Sequence, residues 1–192
     1  MLIAAYIVIA LSFGIINMLL FRRCAEVTPI RLSRGLALSL IIAIVQTILF
    51  LLGMLLGNLL RFEMPTDAEA FSKNNSLIFL GLDIIVTLRM LMPYLKREPR
   101  LPIFNLASNA VCAAMIFATA INPFLVGLGA GCIASPANDF HKALWPMLII
   151  MFPLAYWGLM LGRRKVAIRP RRWMIVASFL LLAVAIAAVV KA

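Results

Sequence analysis

Charge is scarce in this chain, and negative charge is scarcest. Only 13% of the 192 residues are charged, and seven acids stand against 18 lysines and arginines. Soluble domains carry about a quarter charged residues, so a water-exposed globule is excluded. The single histidine, His141, lies beside Asp139 and Lys142 in what reads as a loop, where an imidazole is more often solvated than metal-bound. Three scattered cysteines cannot build a disulfide framework. Cys112 and Cys132 lie in or beside apolar sequence, where a thiol acts as a small hydrophobe, whereas Cys24 follows Arg22-Arg23 and is open to lipidation. The apolar segments hold no His-Glu metalloprotease motif, no Gly-x-Ser-x-Gly and no aspartate pair, which argues against an enzyme. No strand precedes Gly127-Leu128-Gly129-Ala130-Gly131, so this run is not a nucleotide loop. No nucleic-acid-binding module accompanies the basic excess.

What is abundant is hydrocarbon. The chain is 65% hydrophobic with a mean hydropathy of +1.07. Six apolar segments, near 2–21, 36–60, 76–95, 104–133, 144–162 and 173–190, each have the length to cross a bilayer. The first has no basic n-region and is followed by Arg22-Arg23, so it reads as a spanning helix rather than a cleaved signal. The first, third and fifth connectors are basic, the fifth holding Arg163, Arg164, Lys165, Arg169, Arg171 and Arg172 without an acid. The second, around 61–75, is the longest and mixes Arg61 and Lys73 with Glu63, Asp67 and Glu69. The positive-inside rule then places the odd connectors in the cytoplasm and both termini outside. The expected fold class is all-α: a polytopic membrane protein of six transmembrane helices, a single integral domain over 1–192. Pro99 and Pro102 divide it into three-helix halves of about 1–98 and 99–192.

One stretch organises the rest, from Ile116 to Gly131. It is apolar, yet Asn122, Pro123 and the alternating Gly127, Gly129 and Gly131 interrupt it. Proline removes a backbone donor and leaves carbonyls near Ala118 and Thr119 short of partners. Two readings stand level. One is a broken helix lining a polar cavity, as in many transporters; the other is a kinked packing helix whose glycines admit close neighbours. An Ile-Asn pair recurs in the leading helix of each half, Ile16-Asn17 and Ile121-Asn122, and three crossings per half would make the repeat an inverted one. Two ionisable groups fall within the third segment. Asp83 reads as part of a polar core, and Arg89, on another helix face, as snorkelling to the cytoplasm. Asn105, Ser108 and Asn109 read as a helix cap.

Three stretches resemble the bacterial manganese efflux pump family of the lysine exporter superfamily. Ser12-Phe13-Gly14 with Asn17 is similar to its first-helix motif. Ile42 to Thr47, with Gly53 and Gly57 beyond, is similar to its second-helix motif. Ala118-Thr119-Ala120-Ile121-Asn122 through Val126-Gly127-Leu128-Gly129 is similar to its fourth-helix motif. The resemblance implies a small six-helix exporter of a divalent cation. Its motifs carry acids where this chain has Asn17 (or Met18, after a one-residue shift), Gln46 and Asn122. Mn²⁺ prefers hard oxygen donors, and amides bring no compensating charge.

These readings set the expectations. The chain is a manganese efflux pump-like transporter of the bacterial inner membrane, exporting a cation or small polar solute. The alternative is a non-transporting membrane subunit that kept the fold without the carboxylates. Asn17, Gln46, Thr47, Asp83, Thr119 and Asn122 would bind substrate, with Asn122 and Asp83 the candidate metal ligands. Asp83 would be the charge-compensating or proton-linked group. Pro123, Gly127 and Gly129 would serve as hinge or packing residues. No resident cofactor is expected, only Mn²⁺ as possible cargo. Membrane lipid and the transported solute are the expected partners, with a homodimer or a partner membrane subunit as further ones and no nucleic acid.

Overall fold

In lipid a backbone must satisfy its own polar groups, so apolar runs of this length become helices. The computed structural model describes residues 3–28, 30–62, 68–95, 103–133 and 136–190. Among them are six helices: α1 (Ile3–Val27), α2 (Leu32–Phe62), α3 (Ala68–Leu95), α4 (Asn109–Ile133), α5 (Pro136–Arg163) and α6 (Pro170–Val190). All six are long and apolar enough to cross a membrane, which makes the chain a multi-pass membrane protein. Large side chains such as Ile85, Phe117, Ile149 and Phe179 are left exposed on the bundle's outer surface, where lipid would cover them.

Most helices outrun the apolar segments, because helical hydrogen bonding continues into the flanking polar residues. α2 reaches Phe62 and α3 begins at Ala68, so the expected long second connector is largely helical. His141 likewise sits on α5 rather than in a loop, on an exposed face near the Asp139–Lys142 ion pair at 3.0 Å. α4 starts later than expected, at Asn109. The Ala107 amide donates to Asn105 Oδ1 at 3.0 Å and the Val111 amide to Ser108 Oγ at 3.5 Å, the side-chain capping that an N-terminus requires. α5 ends where Val166 N–H donates to Leu161 O and Lys165 N–H to Gly162 O, with Lys165 left-handed at φ 51°. The central divider with Pro99 and Pro102 lies outside the described residues.

Helix packing follows one rule. The most extensive contacts join α1 to α5 and α2 to α4; α3 packs on α4 and on α6, α1 on α6, and α2 on α5. Replacing each helix by the one three further along maps this set onto itself. Sequence positions share the relation. One spacing of 105 residues carries Asn17 onto Asn122, Gly53 onto Gly158 and Gly57 onto Gly162.

Small residues make the tightest seams possible. A Cβ on Gly53 or Gly57 would run into the carbonyls of Phe124 or Leu128 on α4, and one on Gly127 or Gly131 into those of Phe50 or Met54 on α2. Gly158 and Gly162 of α5 meet the carbonyls of Met18 and Arg22 on α1 in the same way. Backbones this close gain van der Waals contact, the main attraction available between helices in lipid.

Candidate functional site

α1, α2 and α4 each turn a polar side chain into the bundle at one point. Asn17 Nδ2 donates to Gln46 Oε1 at 2.7 Å, and Gln46 Nε2 returns a bond to Asn17 Oδ1 at 3.2 Å. Gln46 Nε2 also reaches Thr119 Oγ1 at 3.1 Å. Asn17 and Gln46 are almost wholly enclosed, at 1% and 2% exposure. Thr119 Oγ1 lies 3.0 Å from both the Met115 and Ile116 carbonyls, so its hydroxyl accepts from Gln46 while donating within α4. An uncharged hydrogen-bonded network thus joins three helices that are distant in sequence.

Asn122 is one turn beyond Thr119. It is half-buried, and its carbonyl oxygen is enclosed without a hydrogen-bond partner. Its counterpart Asn17 has Gln46 to bond with. The residue 105 positions after Gln46 is Met151, fully buried, whose thioether donates nothing. Asn17, rather than Met18, supplies the polar group from α1. Met18 is also buried, and its carbonyl lies against Gly158.

Two expected site residues take no part in the network's hydrogen bonds. Thr47 is buried, and its hydroxyl donates to Ala43 O at 2.7 Å on its own helix, outside the network. Asp83 is fully enclosed on α3, and neither carboxylate oxygen has a hydrogen-bond partner. Arg89 lies on the exposed side of the same helix, facing away from it. No group of three or more His, Cys, Asp or Glu able to hold a metal ion occurs among the described residues.

α4 does not break at Pro123. It runs as one helix from Asn109 to Ile133, and a broken helix is therefore not how a site is built here. Gly127 takes the Phe50 backbone and Gly129 takes Phe79 of α3, so both sit in tight helix–helix contacts. Cys24 is enclosed and accepts from the Phe104 amide at 3.4 Å, which removes it as a surface lipidation site.

Sequence reasoning missed the arginines that tie the connectors down. Arg34 Nε donates to Leu106 O at 3.0 Å, and its Nη2 to Ala107 O at 2.8 Å and Asn109 Oδ1 at 2.7 Å. Arg22 Nε donates to Val166 O at 2.9 Å. Their only sequence signal was membership of basic connectors.

A model of the Mntp family, described as "Putative manganese efflux pump", matches residues 29–189. The chain belongs to the Mntp family. The matched span holds Gln46, Asp83, Thr119 and Asn122, whereas Asn17 on α1 precedes it. Neither the curated proteins nor the solved structures returned a match. Membership makes this a membrane transport protein of the manganese efflux type, and the pocket chemistry must be read from its own side chains. At the Asn17–Gln46–Thr119 network that chemistry is amide and hydroxyl, without a carboxylate.

Proposed function

We propose that the protein exports a cation or small polar solute from the cytoplasm across the bacterial inner membrane, with the network of Asn17, Gln46 and Thr119 and the neighbouring Asn122 as its solute site. The observation that carries this reading is the enclosed hydrogen-bonded bridge from α1 and α2 to α4. The two halves, about 1–98 and 99–192, would be inverted repeats that rock about this bridge. The symmetric packing pattern and the shared spacing of 105 residues support that arrangement. Both termini would face outward, as the basic first, third and fifth connectors favour.

Manganese is the cargo that family membership favours. Against tight Mn²⁺ binding stands the lack of charge in the network, since burying an uncompensated ion costs several kcal/mol. A monovalent ion or a polar metabolite suits amides better. Asp83 supplies the buried negative charge that a cation would need. A non-transporting subunit would use the amides only as interhelical glue, and would leave the unpartnered Asn122 carbonyl and Asp83 carboxylate without a role.

Reconstitution into vesicles tests this. Efflux of radiolabelled Mn²⁺, monovalent cations and small amides is compared between the native chain and Gln46→Ala, with Gly81→Ala as control. A flux lowered about tenfold or more by Gln46→Ala is expected, equivalent to losing roughly 1.4 kcal/mol or more. Absence of flux for every solute, with a folded protein, would remove the exporter reading.

A further inference from the structure

Several buried polar atoms have no partner, and five of them lie on α3 and on the two helices that pack against it, α4 and α6. α3 buries one stripe: Phe79, Asp83, Val86, Thr87, Met90 and Tyr94. At Phe79 this stripe touches α4, because a Cβ on Gly129 would come within 3.1 Å of the Phe79 Cα. Consecutive spans run antiparallel. One turn inward from Phe79 therefore brings Asp83, and two turns bring Val86, with Thr87 next to it and turned about 80° from the Phe79 face. Two turns back from Gly129, on the same face of α4, brings Asn122. The register sets Val86 and Thr87 at the depth of Asn122, with Asp83 one turn away. α6 packs on α3 as well, and its Ser178 lies near mid-span, as Asp83 does.

The orphaned atoms on these three helices are all oxygens: both of Asp83, the hydroxyls of Thr87 and Ser178, and the carbonyl of Asn122. Asp83 is 0% exposed, Ser178 3% and Thr87 4%. Thr87 stands one turn from Asp83 without donating to it, so the hydroxyl does not satisfy the carboxylate. An unsatisfied buried polar group demands an explanation, and an ion is one of the few available. Five oxygens and no nitrogen make a hard donor set, suited to alkali and alkaline-earth ions rather than soft metals. Charge then selects among them. Asp83 brings one negative charge, and Arg89 on its helix faces outward. A divalent ion would keep one uncompensated charge within the bundle, whereas a monovalent one is neutralised.

We propose that Asp83, Thr87 and Asn122, completed by Ser178 of α6, form a binding site for one alkali-metal cation, beside the amide network and sharing Asn122 with the solute site. This rests on the exporter reading, for which such an ion would be the coupling partner.

The test is binding, not transport. Purified chain in detergent is titrated with ²²Na⁺ by equilibrium dialysis, and its unfolding midpoint is compared in NaCl, KCl, LiCl and choline chloride at one ionic strength. Saturable binding of one ion per chain is expected, with a midpoint that rises in an alkali salt over choline. Asp83→Asn should weaken binding by about tenfold or more, and Thr87→Val and Ser178→Ala by a few-fold each. Should Asp83→Asn not fold, the native isotherm and the two milder variants decide. Equal behaviour in all four salts, with no saturable binding, overturns the site and assigns Asp83 to a simple protonated carboxyl. Efflux dependent on Gln46 would then leave the exporter reading standing, while ion binding without any efflux would remove that reading and keep the site.

Discussion

Asn17 and Gln46 exchange two hydrogen bonds, at 2.7 and 3.2 Å, although α1 and α2 share no extensive packing. The pair is the main bridge between these two helices, and Gln46 extends it to Thr119 of α4.

Replacing Gln46 by Leu removes three bonds and strands the Asn17 amide in an apolar interior. Interhelical bonds in lipid contribute about 0.6 kcal/mol on average and up to about 1.7. A loss of about 1–2 kcal/mol is expected for the whole network, measured as reversible unfolding in detergent. Asn17→Leu in the same background should cost little more, because both partners are then gone.

Glycine positions separate sharply. Gly57→Leu or Gly131→Leu places a side chain against a carbonyl of the facing helix and should cost about 3 kcal/mol or more, or prevent folding. At Gly81 an added Cβ would meet nothing within 4 Å, so Gly81→Ala should raise stability by about 0.5–1 kcal/mol through helix propensity alone. Thermal unfolding of the two classes in one detergent checks the contrast.

Arg34→Ala frees the segment ahead of α4 from three hydrogen bonds. Because the guanidinium is partly exposed, the expected loss is about 1–2 kcal/mol. Limited proteolysis should show earlier cleavage near residues 103–108, while Arg31→Ala, with an exposed side chain, should cleave as the native chain does.

Orientation can be read chemically. All three native cysteines are buried, so a membrane-impermeant maleimide should meet little background. Cysteine placed at the exposed Arg164 between α5 and α6 should label from the cytoplasmic side only, and at exposed His141 from the outer side only. The reverse pattern would invert the proposed topology.

Hydrocarbon content, connector charge and span length were enough to set the number of helices, because a bilayer permits a long apolar run little other than a helix. Gln46, Thr119 and Asn17 were legible as polar residues within apolar spans carrying family-like motifs. Neighbouring Thr47 could not be separated from Gln46 in this way. Adjacent helical residues point about 100° apart, and only the placement of α1 and α4 decided which one met a partner.

Pro123 shows the limit from the other side. Its missing donor left a break and a kinked packing helix equally open, and the helix runs on through it into a stretch, 124–131, held close to the backbone of α2. The buried stripe of α3 was foreshadowed by Asp83 lying within an apolar span. That Asp83, Thr87, Asn122 and Ser178 all lack partners was decided by tertiary structure alone, because a hydrogen bond depends on the distance and angle between helices that sequence spacing does not encode.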